Sequence, residues 1–103
     1  MFTVIQPSDL GFFSTLAAAG SLSAAARETK VSTAAVSKRL SQMEARLGVT
    51  LVNRTTRRMG LTVEGETCLR YARKILAEVS DLERELGASK SLPSGLLRVN
   101  ATL

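Results

Sequence analysis

The 103-residue sequence contains no histidine and no tryptophan, and it has a single cysteine, Cys68. Without histidine, catalytic triads and metal sites that require an imidazole are excluded, and a single cysteine excludes a disulfide within the chain. The remaining reactive candidates, Cys68, Tyr71 and scattered carboxylates, form no recognisable catalytic pair. The sequence therefore predicts a protein that is not an enzyme and that holds no cofactor and no metal.

Aromatic residues and long apolar runs are also scarce. Three Phe and one Tyr in a composition that is 45% hydrophobic predict an aliphatic, alanine-rich core, as in small, mainly α-helical domains. No apolar run approaches the ~20 residues of a membrane-spanning helix, and the first residues lack the basic and apolar blocks of a signal peptide. We expect a cytoplasmic protein with no membrane partner.

The positive charge is concentrated in the middle of the chain. The formal net charge is +5, but residues 27–58 carry eight cations and two anions, a balance of +6. Such a segment suggests a polyanionic partner, although any single Lys or Arg can equally be ordinary solvated surface.

Two helices are predicted near the start of the chain. The first covers about residues 9–19, with Ser8 or Asp9 as its cap and a glycine at its end. The second begins at Ser21 or Ser23 and, with its three consecutive alanines, forms barely two turns.

A third helix, over about residues 32–47, has a small and polar outer face. Its apolar residues recur at intervals of four, three and four, and Ala25 and Val36 are the predicted buried contacts with the preceding helix. Two such helices form a helix-turn-helix, whose second helix enters the DNA major groove. That groove is ~12 Å wide, so short outward side chains allow the helix to approach the bases. The residues of this helix predicted to contact DNA are Ser32, Thr33, Ala34, Ser37, Lys38 and Ser41.

A small β-hairpin with a basic tip is predicted next. Val49, Leu51 and Val52 have strand propensity, and residues 53–60 are polar and basic before the apolar pattern resumes at Leu61. Beside a recognition helix, such a tip is a wing that can clamp phosphates or enter a narrow minor groove. The wing residues predicted to contact DNA are Arg54, Thr55, Thr56, Arg57 and Arg58.

A long final helix is predicted over residues 63–89, with Thr62 as its cap and its end beginning at Gly87. Apolar residues recur along it as a heptad seam, so we expect a homodimer, although the seam could instead pack on its own domain. Its polar face is basic at first and acidic later, so an antiparallel partner would set opposite charges against each other. The predicted dimer interface comprises Phe12 and the seam residues Cys68, Ala72, Ile75, Val79, Leu82 and Leu86.

These features divide the chain into three parts. Residues 1–62 form the predicted DNA-binding domain and residues 63–89 the dimerisation helix. Residues 90–103 have the pattern of a hinge and the first strand of a second domain beginning near Leu96. An alternative is a protein-interaction module, in which the heptad helix is the functional element and the basic middle binds an acidic partner.

The segment GSLSAAARETKVSTAAVSKRLSQMEARLGVTLVNRTTRRMGLTVEG resembles the amino-terminal region of LysR-type transcriptional regulators. The resemblance extends over about residues 10–97 and is more specific than that of a generic helix-turn-helix. The residues that carry it are Gly20-Ser21, Ala25-Ala26, Val36-Ser37, Glu44, Leu47-Gly48, Leu51, Arg54, Leu61-Thr62 and Gly65.

The resemblance implies a mainly α-helical fold, a winged helix-turn-helix of three helices and a small hairpin, followed by a linker helix that dimerises antiparallel with its mate. It implies binding to an interrupted inverted repeat in double-stranded DNA, at the nucleoid of a bacterial cytoplasm. A small-molecule effector would act only through an effector-binding domain of which the first strand is present. By the same resemblance Ser23 contacts a phosphate, while bases and phosphates face Thr33, Ala34, Ser37 and Lys38, and the wing uses Arg54 and Arg57.

Four residues depart from the usual pattern of that family. Thr29 stands where an apolar residue is usual and Lys30 where glycine is frequent, so we expect a less well packed or strained turn. Thr33 replaces a frequent Gln, which removes an amide able to read adenine. Val52 replaces a frequent Phe and gives the wing a smaller anchor.

Overall fold

The structure, a computed structural model, describes residues 5–54 and 59–90, with side chains up to residue 87. Four helices and one two-stranded antiparallel sheet make up this part of the chain, which confirms the predicted mainly α fold. In chain order the elements are α1 Pro7–Ala19, α2 Leu22–Thr29, α3 Thr33–Leu47, β1 Val52–Asn53, β2 Gly60–Leu61 and α4 Val63–Lys90.

Helix α1 begins two residues earlier than predicted, because its cap is neither Ser8 nor Asp9. Gln6 occupies the N-cap position, and Pro7 stands in the first turn, where its fixed φ suits a helix and its missing N–H costs no hydrogen bond. The Asp9 carboxylate accepts a hydrogen bond of 3.0 Å from the Gln6 N–H. Asp9 therefore supports the helix start from inside the first turn. The helix ends, as predicted, at Gly20, which has a φ of +84°.

The turn between α2 and α3 is built from two hydroxyl caps and one left-handed residue. Ser21, the first of the two predicted candidates, caps α2 by accepting from the Ala24 N–H at 3.0 Å, and Ser32 caps α3 in the same way. Lys30 has a φ of +60°. Glycine is frequent at this position in LysR-type regulators, whereas the lysine here adopts a left-handed conformation that L residues with a Cβ disfavour.

The predicted hairpin is present at its base. Val52 lies opposite Leu61 and Asn53 opposite Gly60 in an antiparallel ladder. The predicted wing residues 55–58 lie outside the described residues, so Thr55, Thr56, Arg57 and Arg58 stay predictions.

A single core joins these elements. Phe13 and Leu16 of α1 pack with Leu40 and Met43 of α3, and none of the four side chains is exposed. Ala25 and Val36 are both buried in the same cluster, as expected for the two helices of a helix-turn-helix. The chain that leads into the wing adds Leu51 and Val52 to this core, and α4 adds Leu69.

Helix α4 starts at a double hydrogen bond made by Thr62. The Thr62 hydroxyl accepts from the Gly65 N–H at 3.0 Å and donates to the Thr50 carbonyl at 2.5 Å. The cap therefore also ties α4 to the chain that enters the wing. The helix continues past Gly87 to Lys90, the last described residue, so Gly87 lies inside it and the predicted span of residues 63–89 is helical. The helix can continue because one glycine costs it only about 1 kcal/mol, and residues 88–90 include no proline. The predicted strand near Leu96 lies outside the described residues.

None of the helices in the described part of the chain is both long and apolar enough to cross a membrane.

Candidate nucleic-acid interface

Helix α3 is buried along one side and lined with small polar groups along the other. Val36, Leu40 and Met43 are buried in the core. Of the residues predicted to contact DNA, Ser32, Thr33, Ala34, Lys38 and Ser41 are exposed and Ser37 is half-buried. The structure therefore brings the predicted set together on one outward face that has no bulky side chain near its start.

Two of the predicted serines have partners within the chain. The Ser32 Oγ accepts a hydrogen bond of 3.0 Å from the Ala35 N–H, so this residue shapes the helix start. The same hydroxyl still has a proton to donate. Ser23 is exposed, and its Oγ lies 3.5 Å from the Ser21 Oγ at the start of α2.

The described part of the wing is joined to the exposed face of α3 by Arg54. Its Nη1 donates to the Ser41 Oγ at 3.1 Å, and its Nη2 lies 3.4 Å from Glu44 Oε1. Two residues that were predicted separately, one on the helix and one on the wing, are therefore neighbours. Because Arg54 remains about one third exposed, its guanidinium stands at the surface between the two elements.

Glu44 holds the strand that leads into the wing, a role that the sequence did not reveal. Its Oε2 accepts hydrogen bonds from the Leu51 N–H at 2.7 Å and from the Val52 N–H at 3.1 Å. The other oxygen, Oε1, faces Arg54. One signal was available: Glu44 is one of only two anions between residues 27 and 58, and an isolated carboxylate in a basic segment calls for a specific partner.

Arg39 lies against Phe12 on the side of the domain where α1 meets α3. The guanidinium carbon is 4.6 Å from the centre of the Phe12 ring, within the range of a cation–π contact. Its Nη2 also donates to the Ser8 carbonyl at 3.2 Å. Phe12 was predicted at the dimer interface because its ring was expected to be exposed. In the structure the ring is half-buried and packs on the core of its own chain, so exposure no longer supports that prediction.

A charged pair lies at the opposite end of α3. The Asp9 carboxylate accepts a hydrogen bond from the Arg46 Nη2 at 2.5 Å, and the Asp9 side chain is almost fully buried. Burial alone would raise the pKa of Asp9, but hydrogen bonds from the Gln6 N–H and from Arg46, with the charges of Arg46 and Arg39, lower it overall. Burial raises the pKa of the nearby Cys68 thiol, and the Asp9 charge raises it further. Cys68 is therefore held as a neutral thiol.

The heptad seam of α4 divides into a buried part and an exposed part. Ala72 is fully buried within its own chain, and Cys68 is half-buried against the core. The prediction of Ala72 as a dimer contact is therefore corrected, because this side chain has no surface left for a partner. Four seam residues remain between 44% and 57% exposed: Ile75, Val79, Leu82 and Leu86.

An open apolar groove of about 460 Å³ adjoins the exposed seam. It runs between the first turns of α4, the start of α1 and the carboxy-terminal end of α3. Its wall includes Tyr71 and Val63, which are 49% and 79% exposed. The residues that complete this groove include Ile5, Leu10, Leu47, Val49 and Ile75. Among the described residues, no group of three or more His, Cys, Asp or Glu side chains could hold a metal ion.

A helix-turn-helix followed by a hairpin that packs on its second helix is the architecture of a winged helix-turn-helix DNA-binding domain. A model of the family described as "Bacterial regulatory helix-turn-helix protein, lysR family" matches residues 7–66, and this chain belongs to that family.

Known relatives and solved structures agree with this assignment. The chain is 39% identical, over 95 residues, to the HTH-type transcriptional regulator CrgA of Neisseria meningitidis serogroup C (strain 8013), covering 92% of this chain and 32% of CrgA. The fold is similar to that of the crystallised CbnR_DBD–DNA complex, with a TM-score of 0.74 and 31% identity over 84% of this chain and 99% of that one. It is also similar to a BenM_DBD/catB site 1 DNA complex, with a TM-score of 0.71 and 25% identity over 90% and 100% of the two chains. The present chain spans about a third of the length of CrgA and corresponds to the DNA-binding helix-turn-helix part of LysR-family regulators.

Proposed function

We propose that this domain binds double-stranded DNA sequence-specifically as a homodimer and serves as the DNA-binding part of a bacterial transcription regulator. Helix α3 would lie in the major groove, and the wing, residues 53–60, would lie on the backbone and the adjacent minor groove. The single observation that carries this proposal is the exposed face of α3, where short polar side chains and Lys38 stand opposite a fully buried apolar side.

The chemistry of that face suits base contact. Threonine and serine hydroxyls can hydrogen-bond to base edges, and the Ala34 methyl can touch a thymine methyl. Lys38 and Arg54 at its borders supply positive charge for phosphates. Thr33 is exposed in the first turn of α3, the part of a recognition helix that contacts base edges. We therefore assign Thr33 a direct base contact that contributes to sequence specificity.

Dimerisation is supported by the exposed part of α4. Four apolar residues at heptad spacing remain about half exposed, which is unusual for an isolated helix face. After two glutamates in its first turn, Glu64 and Glu66, the helix carries basic residues at Arg70, Arg73 and Lys74. Acidic residues follow later, at Glu78, Asp81, Glu83 and Glu85. In an antiparallel dimer, the basic residues of one α4 would face the acidic residues of the other. The exposed seam of each copy would then lie toward the apolar groove of its partner.

A dimer of this kind has two recognition helices related by a two-fold axis. We expect an interrupted inverted repeat whose half-sites are about one helical turn, ~34 Å, apart. A small-molecule effector would act only through a further, carboxy-terminal domain. The domain itself would need no cofactor and would act in the cytoplasm, at the nucleoid.

The proposal is tested by binding the protein to a pool of random duplexes over a range of salt concentrations, followed by sequencing of the retained DNA. A steep negative slope of log affinity against log salt, with enrichment of an inverted repeat, is the expected result. A steep slope without an enriched sequence would contradict sequence-specific reading by α3. A flat slope would contradict DNA binding and favour the protein-interaction alternative.

Thr33→Ala separates base reading from backbone binding. It removes a hydroxyl from the exposed start of α3 without changing charge, so it should alter the order of preference among enriched sequences while leaving the salt slope unchanged. Equal losses on enriched and random duplexes would contradict the assignment of Thr33 to base contact.

A further inference from the structure

We propose that Glu44 is a positioning residue of the DNA interface, which aims the Arg54 guanidinium from the recognition helix without touching DNA itself. This inference rests on the proposed DNA-binding function. The proposal begins from an unusual arrangement: a carboxylate on α3, in the most basic part of the chain, is only 14% exposed. One of its oxygens holds the backbone at the start of β1, and the other faces the Arg54 side chain directly after β1.

The first oxygen fixes where the wing starts. Glu44 Oε2 accepts from two consecutive backbone N–H groups, those of Leu51 and Val52, and Val52 is the first residue of β1. Both residues are buried, and a buried N–H without a partner costs about 1–3 kcal/mol. Since no strand precedes β1 in the sheet of the described residues, the α3 carboxylate takes the place of a neighbouring strand. The strand is thereby registered directly on the recognition helix.

The second oxygen fixes the direction of Arg54. Oε1 lies 3.4 Å from Arg54 Nη2, while Nη1 of the same guanidinium donates to Ser41 Oγ at 3.1 Å. A planar group held at two of its nitrogens has a defined plane as well as a defined position. A guanidinium has five N–H donors, so these two contacts do not exhaust its capacity to bind a phosphate.

The arrangement places a fixed cation where the DNA backbone would run. Ser41 and Arg54 are both at the surface, and Glu44 lies beneath them. An unrestrained arginine loses side-chain freedom when it binds, whereas one already held in its bound orientation loses less. Ser41, predicted as a direct DNA contact, acts in this account on Arg54 instead.

The test is a double-mutant cycle of Glu44→Gln and Arg54→Ala, with a pool of random-sequence duplexes as the probe and affinity measured over a range of salt. Glutamine keeps an oxygen that can accept from the two backbone N–H groups, but it removes the charge that holds Arg54. We expect Glu44→Gln to weaken binding roughly three- to tenfold and to make the salt slope shallower by part of the ~0.9 that one phosphate contact contributes. In the Arg54→Ala background the same change should no longer weaken binding, and only the slight tightening expected from one negative charge fewer should remain.

Glu28→Gln is the matched control. Glu28 is an exposed carboxylate on α2, so its removal reports the general effect of one negative charge fewer, which should be a slight tightening of equal size in both backgrounds. If Glu44→Gln behaves like Glu28→Gln, or weakens binding equally with and without Arg54, the proposal is overturned. Tighter binding that depends on Arg54 would also overturn it, because Glu44 would then hold the arginine away from DNA.

Ser41→Ala keeps the inference testable if Glu44→Gln is poorly folded, as judged by thermal unfolding. Ser41 is exposed, so its truncation should not disturb the core. We expect a two- to fourfold loss of affinity, on the order of one exposed hydrogen bond, which disappears in the Arg54→Ala background. A loss that persists there would show that Ser41 contacts DNA directly and would contradict this assignment. Failure of the wild-type domain to bind DNA would instead refute the proposed function.

Discussion

Arg46, in the last turn of α3, reaches back to the buried Asp9 in the first turn of α1, with 2.5 Å between Nη2 and Oδ2. The two residues are 37 positions apart in sequence. The pair therefore joins the carboxy-terminal end of α3 to the amino-terminal end of α1, at the opposite end of α3 from its first turn. This charged contact is unequal in exposure: the Asp9 side chain is 4% exposed and that of Arg46 37%.

Asp9 should make the stability of the domain sensitive to acid. The folded-state pKa of Asp9 is lowered from its usual value of 3.8, so the ionised carboxylate stabilises the folded state above that pH. The contribution is lost as the pH falls through the lower, folded-state pKa. Asp9→Asn should lower the free energy of unfolding by about 1–2 kcal/mol at neutral pH, and this difference should shrink on acidification.

Urea unfolding of the wild type and the variant across the acid range measures this difference. Asp81→Asn is the control, because Asp81 and its partner Arg84 are both largely exposed; its effect should be less than about 0.5 kcal/mol. A stability difference between wild type and Asp9→Asn that stays constant down to the lowest pH would contradict the linkage.

Gly65 should tolerate no side chain. A Cβ at this position would lie far inside contact distance of the Leu51 carbonyl oxygen and 3.3 Å from the Leu61 Cβ. That carbonyl cannot easily withdraw, because it accepts a hydrogen bond of 3.0 Å from the Thr62 N–H. Gly65→Ala should therefore lower the free energy of unfolding by about 1–3 kcal/mol, measured by chemical denaturation.

Gly11→Ala is the opposite control. Gly11 lies inside α1, and a Cβ there would meet nothing within 4 Å. Alanine is the better helix former by about 0.5–1 kcal/mol, so this variant should be more stable than the wild type. A stabilising Gly65→Ala, or equal effects of the two variants, would mean that the close approach of α4 to the wing does not exist.

The helices and their order were predictable because each is marked locally. Ser21 and Ser32 are capping residues directly before helical runs, Gly20 and Gly48 follow the ends of α1 and α3, and the spacing of Val36, Leu40 and Met43 identifies the buried side of α3. These signals depend on neighbours within a few residues. The start of α1 was missed because Pro7 and Asp9 act together with Gln6, which is not a typical capping residue.

The contacts that join elements could not be predicted in the same way. Glu44 and Arg54 are ten positions apart and Asp9 and Arg46 still further, and nothing local distinguishes a paired charge from a solvated one. The seam of α4 was misjudged at Ala72 for a related reason. A heptad pattern shows which side of a helix is apolar, but it does not show where the side that packs on its own domain ends and the side left for a partner begins.

Lys30→Gly should stabilise the domain. Lys30 has φ +60° and ψ +41° at the end of α2, a conformation that costs a residue with a Cβ about 1–2 kcal/mol. Glycine removes this cost but adds freedom to the unfolded chain, worth about 0.4–1 kcal/mol. The net expectation is a gain of about 0.5–1 kcal/mol in thermal or chemical unfolding. Lys30→Ala removes the same charge without relieving the backbone, so a similar gain in that variant would assign the effect to charge.

Leu82→Glu should convert the proposed dimer into monomers without unfolding the protein. Leu82 is 57% exposed in the single chain, so it contributes little to the core, but it lies in the middle of the exposed seam. A glutamate there would bury a charge against an apolar partner surface, which costs several kcal/mol. Sedimentation velocity should show monomers at concentrations where the wild type sediments as a dimer. The variant should still unfold in a single cooperative thermal transition, which shows that its fold is intact.

Ala77→Glu supplies the matched control for this prediction. Ala77 is exposed on α4 and lies two residues from both Ile75 and Val79, on the opposite side of the helix from the seam. The variant carries the same new charge but should keep the dimer.

If both variants remain dimeric, the exposed seam is not the interface, and a partner other than a second copy must cover it. If both dissociate, charge on α4 rather than apolar contact controls assembly. Dissociation of Leu82→Glu alone would assign the dimer to the seam and, because the two recognition helices would then be separated, should also abolish enrichment of an inverted repeat while leaving salt-dependent binding to single half-sites.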